Sequence, residues 1–303
     1  MHTAVVTGGA GFIGAHIARE LVERGYETHV VDNLAAGKKE SVPAGAVFHE
    51  TDVNDTGELT RIAKGANAVF HCAALPRVQF SLDFPQEANR ANVDGTLSVL
   101  VAARDAKAGR VIFASSSSVY GDGASLPAVE TATPTPNTPY GLQKYIGERY
   151  LALFTSAYGL SGVSLRFFNV YGSGMDPEGA YALAIPKFLA QAARGIPITI
   201  TGDGTQTRDF THVRDVVRAC MLAAESAQVG RGEVINIGAG RGVSINELAA
   251  RIQPGIAPSY IPARVEAHDT LADTQKAKEL LGWEPMVTLE EGIAALKAEW
   301  GII

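Results

Sequence analysis

Two hydrophobic rhythms alternate along the chain. Short apolar runs, mostly β-branched, occur at 3–7 (TAVVT), 28–31 (THVV), 46–49 (AVFH), 68–71 (AVFH), 110–114 (RVIFA) and 164–168 (SLRFF). Between them lie longer stretches whose apolar positions recur every three or four residues, over roughly 12–24, 86–107 and 139–158. The short runs read as strands, whose side chains alternate between two faces, and the long stretches as helices with one apolar stripe. This order predicts right-handed crossovers and a parallel sheet covered by helices on both faces.

Beyond about residue 170 the rhythm loosens. A glycine-rich loop leads to a helix near 181–194, short strands at 197–201 (PITIT) and 234–238 (VINIG), and helices near 244–252 and 288–300. The expected architecture is α/β: a doubly wound parallel sheet over 1–170, and a smaller C-terminal α/β lobe over 171–303 that binds substrate. No Gly/Ser/Pro-rich linker separates the two parts, so some chain is expected to cross between them.

The first strand runs into TGGAGFIG at 7–14. Gly8, Gly11 and Gly14 leave a strand and open a helix. Glycine there permits positive φ, close approach of backbone to a pyrophosphate and tight packing of the helix on the sheet. The helix N-terminus presents unpaired N–H groups to the phosphates. Glycine spacing alone is a weak signal, and an ordinary tight turn is the plain alternative. Asp32, which ends the second strand 18 residues beyond Gly14, strengthens it. A carboxylate there accepts from both ribose hydroxyls and repels a 2′-phosphate, so the pattern favours NAD over NADP in a Rossmann-type fold. Asp52 and Val53, after the third strand, suit an adenine-side contact, although an Asp at a strand end is often only a helix cap.

At 139–144 the chain reads PYGLQK. Tyr140 and Lys144 are four apart on a helix that Pro139 helps to start, so they share a face. A free tyrosine ionises near about pH 10. An adjacent ammonium, together with a positive nicotinamide ring, stabilises the phenolate and makes Tyr140 a usable base near neutrality. A snorkelling lysine beside a buried tyrosine is the plain alternative, and position decides between them: the pair opens the helix after the fifth strand, where dinucleotide folds place substrate. Four serines, Ser115 to Ser118, leave the end of that same strand. A hydroxyl there can bond the substrate oxygen that Tyr140 deprotonates.

Composition narrows the partners. A net charge of -6 argues against nucleic acid or an anionic membrane, but leaves room for a small phosphorylated ligand. Cys72 and Cys220 match no metal spacing and read as buried thiols; no metal site is expected. The N-terminus enters a strand pattern with no leader-like segment, and no apolar run approaches the ~20 residues of a membrane span. A cytoplasmic enzyme is the expectation, with no membrane partner.

TGGAGFIG, Asp32, HCAAL (71–75), ANVDGT (91–96), SSSSVYG (115–121), PYGLQK and LRFFNVYG (165–172) together resemble the extended short-chain dehydrogenase/reductase family. Within it the chain is most similar to the nucleotide-sugar epimerases, specifically UDP-hexose 4-epimerases, over nearly its whole length. The resemblance implies Tyr140 as base, with Lys144 as its partner and a holder of the nicotinamide ribose. It implies Ser116 as the hydroxyl residue, four before the tyrosine of VYG, with Ser117 as second choice. It implies NAD contacts from Gly8, Gly11, Phe12, Ile13, Gly14, Asp32, Asn33, Asp52, Val53, Ala73, Ala74, Asn92 and Phe168, besides Tyr140 and Lys144. Asn169 is implied to touch the sugar diphosphate. Relatives commonly dimerise through the long helices near 86–107 and 139–158, so a homodimer is expected.

Related 4,6-dehydratases carry Asp-Glu directly after the catalytic hydroxyl residue, and similar sugar-acid decarboxylases carry Glu before Val-Tyr-Gly. Here those positions hold Ser117 and Ser118, which cannot protonate a leaving hydroxyl near neutrality. Epimerisation of a UDP-hexose is the reaction that asks least of such a site. In the lobe, GDGTQTRDFTHVRDV (202–216) resembles the family's nucleotide-binding segment, with Arg208 on the diphosphate. Where the family often has Arg-Pro-Gly-Asp, this chain has Arg264-Val265-Glu266-Ala267. Arg264 is the expected second phosphate contact and Glu266 a weaker ribose candidate. Thr270 falls where these epimerases control pocket size, and its small side chain leaves room for an N-acetyl group.

Plainer readings hold elsewhere. His71 reads as a hydrogen-bonded core residue, and His212 and Asp215 as organisers of the lobe. Arg77 and Ser81 are candidates to face the sugar. The rival of another class is a non-catalytic NAD-binding module, which tends to lose the tyrosine or the lysine; both are present. Among enzymes, the rivals are a sugar-nucleotide dehydratase, decarboxylase or reductase.

Overall fold

The β-branched runs become strands because a parallel sheet buries both of its faces. The computed structural model of the chain describes residues 2–76, 78–177, 183–263 and 267–302. Strands β1 (Thr3–Thr7), β2 (Glu27–Asp32), β3 (Val47–Glu50), β4 (Ala68–His71), β5 (Val111–Ser116) and β6 (Gly162–Phe167) lie in one sheet. Strand Arg231–Ile237 completes it, in the order Arg231–Ile237, β6, β5, β4, β1, β2, β3, with all pairs parallel. The order reverses beside β1, where β1 pairs with both β2 and β4. Open sheets of this kind bind ligands at the carboxyl ends of the strands around that reversal.

Each strand divides its side chains between two cores. Val6, Val30, Phe70, Ile112 and Leu165 meet helices Phe12–Glu23 and Val213–Glu225 on one face. Val5, Val31, Val69, Val111 and Phe113 meet helices Thr56–Ile62, Gly95–Asp105 and Pro139–Tyr158 on the other. Each buried valine contributes ~1.5–3 kcal/mol relative to an exposed one. A third core, with Phe188, Leu189, Ile198, Ile200, Leu248 and Ile252, holds the C-terminal lobe.

Three spans differ from the sequence reading. VINIG belongs to the seventh strand of the main sheet and not to the lobe, since residues 231–237 continue the ladder beyond β6. Helix Val213–Glu225 likewise packs on the sheet, so the chain returns from the lobe to cover it. The single helix expected over 86–107 is interrupted: Pro85–Asn89 and Gly95–Asp105 are α-helical, while Arg90–Asp94 is a π-turn. Such turns insert an extra residue and often lie at functional sites.

Candidate active site

At the switch point the chain forms a tight cradle. Gly8 has φ 72°, and its N–H donates to the Val31 carbonyl across the strand end. A Cβ on Gly8 would lie 2.5 Å from the Ala73 backbone nitrogen, and one on Gly14 would collide with the Gly8 carbonyl oxygen. The loops after β1 and β4, which carry Gly8, Ala73 and Ala74, therefore form one wall. Helix Phe12–Glu23 begins at Gly11 with no side chain capping it, leaving its first N–H groups for an anion. Phe12 and Ile13 in its first turn are half-buried.

Asp32 is held at the edge of this cradle. One carboxylate oxygen accepts from the Ala10 N–H at 3.0 Å and the other from the Leu34 N–H at 2.8 Å. A carboxylate oxygen has a second acceptor site, so both keep capacity for a ribose diol. Asn33 donates through its amide to Asp52 at 3.0 Å. Burial pushes the Asp52 carboxyl up, but the backbone and side-chain N–H groups of Asn54, with Asn33, outweigh it and hold the pKa below its ordinary value. Val53 is buried in the core beneath. Uncapped N–H groups, a glycine cradle and a braced carboxylate together fit a dinucleotide such as NAD.

The lysine and tyrosine occupy the opposite wall. Helix Pro139–Tyr158 starts with Pro139 at its first position and Thr138 as cap, whose hydroxyl accepts from the Gly141 N–H at 3.2 Å. Ser81 adds a second cap from another segment, its hydroxyl accepting from the Tyr140 N–H at 3.1 Å. Ser81 thus braces the helix that carries Tyr140. Lys144 is buried; its ammonium donates to the Ala114 carbonyl at 2.8 Å and lies 5.8 Å from the centre of the Tyr140 ring. Burial pulls its pKa from 10.5 down to about 8, with Cys72 and Glu148 acting in the opposite direction.

The four serines diverge. The Ser115 hydroxyl turns inward and donates to Glu148 at 2.5 Å. Ser116 caps the short turn Ser117–Val119: its hydroxyl accepts from the Ser118 N–H and donates to the Ser118 hydroxyl, each at 3.1 Å. A Cβ on Gly141 would collide with the Ser118 carbonyl oxygen, so the serine turn lies directly against the first turn of the Tyr140 helix. Ser116, Ser117 and Ser118 are half-buried there.

Other expected contacts serve the wall itself. Asn92, in the π-turn, accepts from the Leu75 N–H at 2.8 Å and donates to the Leu75 carbonyl at 3.2 Å and to Gln143 at 2.7 Å. It ties the loop after β4 to the Tyr140 helix. Phe168 is buried, 6.2 Å from the Tyr120 ring. His71 bonds the Thr7 and Thr96 hydroxyls, and burial pulls its pKa down to about 3, which leaves it neutral.

In the lobe, Arg208 is buried and donates to the carbonyls of Thr207 and His268 at 2.9 and 2.8 Å. Thr270 is half-buried; its hydroxyl accepts from the Asp209 N–H and donates to the Asn169 side chain, each at 3.2 Å. Asn169 therefore joins the end of β6 to the lobe. Asp209 accepts from the N–H groups of Ala239, Gly240 and Ala272 and so gathers two loops beside Thr270. Its burial pushes the carboxyl up to about 6 in spite of those donors. Arg77, Arg264 and Glu266 lie outside the described residues. Glu148 was missed, although its place one helical turn beyond Lys144 was a readable signal.

Residues 4–238 match the model of the NAD dependent epimerase/dehydratase family. The chain belongs to that family. A crystal structure of UDP-glucose 4-epimerase from Thermotoga maritima, with UDP-glucose, is similar at 40% identity and a TM-score of 0.93, covering 99% of this chain and 98% of that one. UDP-N-acetylglucosamine 4-epimerase from Methanobrevibacter ruminantium M1, in complex with UDP-N-acetylmuramic acid, is 34% identical at a TM-score of 0.91, covering 98% and 99%. A UDP-N-acetyl-alpha-D-glucosaminuronate decarboxylase from Bacillus cytotoxicus is 35% identical, covering 95% of this chain and 94% of its own. This epimerase/dehydratase family member is thus an NAD-dependent enzyme of the Rossmann-type fold. Among its described residues no helix is long and apolar enough to cross a membrane.

Proposed function

We propose that the chain catalyses 4-epimerisation of a UDP-hexose, interconverting UDP-glucose and UDP-galactose and accepting their N-acetylated counterparts. One observation carries the reading: a buried Tyr140–Lys144 pair lies against a serine turn that has hydroxyls where dehydratases and decarboxylases have acids. The glycine cradle and Asp32 hold NAD, and Arg208, Asn169 and Thr270 serve the sugar-nucleotide side. Residues 1–170 are the cofactor part and 171–303 mainly the substrate part, with 213–225 and 231–237 returning to the sheet.

The chemistry a bound NAD supplies is reversible hydride exchange at sugar carbon 4. Tyr140 takes the proton of the 4-hydroxyl and later returns it. The Lys144 ammonium keeps the phenolate accessible near neutrality, and Ser116 holds the sugar oxygen against Tyr140. Rotation of the 4-keto sugar about its diphosphate link presents its other face. Nothing in this turn expels water, because Ser117 and Ser118 are not acids at working pH.

Helix Pro139–Tyr158 leaves Leu142, Leu153 and Tyr158 exposed, and we assign its outer surface to a homodimer. Turnover of UDP-galactose by wild type and by Tyr140→Phe tests the catalytic reading. Loss of at least about a thousandfold in kcat is expected, and near wild-type turnover in the variant rules it out.

A further inference from the structure

Beneath the site lies a pair of ions that the reaction above does not use. Glu148 and Arg166 are both buried, and Arg166 donates from Nε and Nη2 to the two oxygens of Glu148, each at 2.8 Å. Ser115 adds a third bond, from its hydroxyl to Glu148 Oε1 at 2.5 Å. The guanidinium carbon of Arg166 stands 4.6 Å from the centre of the Tyr120 ring, and the Tyr120 hydroxyl donates to Asn236 at 2.7 Å.

Two ions removed from water give up hydration, and apolar side chains of similar volume hold such a junction as well or better. Packing therefore does not call for charge here, whereas placement suggests a use. Glu148 follows Lys144 by one helical turn and Tyr140 by two, with all three buried in the same helix. Its bond to Ser115 grips the residue before Ser116, and its partner Arg166 lies on the strand that leads to Phe168 and Asn169. Three elements that carry the site meet at this carboxylate.

We propose that Glu148 is a positioning residue, fixing Ser116 through Ser115 and holding the charge of Lys144 through its own. The proposal rests on the catalytic reading of Tyr140 and Lys144. The groups facing Lys144 are His71 at the end of β4 and Cys72 just after it, Tyr140 and Glu148 from its own helix, and Arg166 beyond Glu148. The Cys72 thiol is pushed up to about 12 by burial, and His71 is neutral, so near neutrality neither adds charge. That leaves Glu148, with Arg166 bonded to it, as the ionisable group acting on Lys144.

The experiment compares pH profiles of kcat/KM for UDP-galactose. Glu148→Gln removes a negative charge, so neighbouring groups hold their protons less tightly. Both limbs of the profile move to lower pH by about half a unit or more. Arg166→Met removes a positive charge and moves them the other way. Ser115→Ala leaves both charges in place, which keeps a folded variant available. It lowers kcat by about fivefold, with KM within about twofold and the profile unmoved. The difference in tyrosinate absorbance between each protein and its Tyr140→Phe version follows the Tyr140 proton without turnover, and it moves in the same directions. A Glu148→Gln profile superimposed on wild type, or a wild-type kcat in Ser115→Ala, overturns the proposal. An active Tyr140→Phe enzyme instead overturns the catalytic reading on which it stands.

Discussion

The ammonium of Lys144 donates to the carbonyl of Ala114, 2.8 Å away and two residues before Ser116. That bond ties the helix bearing Tyr140 to the strand that delivers the serine turn. It also holds a cation where water does not reach it, and burial brings its pKa down from 10.5 to about 8. The folded protein binds that proton less tightly than the unfolded chain. Between about pH 8 and 10.5 the unfolded state carries more protons, so this group's contribution makes stability rise with pH across that window. Below pH 8 the charged lysine is a standing destabilisation.

Lys144→Met is therefore expected to raise Tm, by about 2 °C or more at pH 7, while lowering kcat by at least about a hundredfold. Thermal unfolding and initial rates measure both. A lower Tm would show that the bond to Ala114 outweighs the burial of charge. In the wild type, kcat/KM is expected to fall as pH rises through about 8, where Lys144 loses its proton.

Asp32, which we assign to the ribose of NAD, is braced by two backbone N–H groups. Asp32→Ala removes the acceptor and leaves those donors unpaired. NAD retained by the purified protein, and affinity for added NAD, are expected to drop by at least about tenfold. The preference for NAD over NADP narrows, because the repulsion of a 2′-phosphate is gone. Unchanged NAD binding would place the ribose elsewhere.

Under the proposed function, Thr270 separates two substrate classes by size. Thr270→Tyr fills the side of the pocket next to Asn169 and is expected to cut turnover of UDP-N-acetylgalactosamine by about tenfold or more, with plain UDP-galactose within about threefold. Equal losses on both substrates would mean that Thr270 acts through its bonds to Asn169 and Asp209 and not through the room it leaves.

The alternation of TAVVT, AVFH and RVIFA with apolar helices made the sheet legible, because burial on both faces leaves few polar positions in its strands. VINIG has the same character, yet its place in the sheet was not readable: a strand returning after a lobe looks local until its partner β6 is known. The π-turn at Arg90–Asp94 was hidden for a different reason. It arises from Asn92 reaching across to Leu75 and Gln143, a tertiary cause with no local signature. In the site, Gly8 and Asp32 stood out in the sequence because each sits at a strand end, and Tyr140 and Lys144 because they are four apart at the start of a helix. The bonds of Asp209 could not be read, since its partners are backbone N–H groups of segments far away in sequence, Ala239 to Ala272. Ser81 was singled out as a candidate to face the sugar, but its bond to the Tyr140 N–H, 59 residues away, has no local signature.

The proposed epimerase moves a hydride within one sugar and does nothing else. Incubating the purified protein with UDP-galactose, without added cofactor, and following both nucleotide-sugar products and absorbance by reduced nicotinamide tests this most directly. The expected result is an equilibrium mixture of UDP-glucose and UDP-galactose with no net accumulation of NADH. A stable 4-keto product, or net reduction of added NAD with substrate consumption, would contradict it.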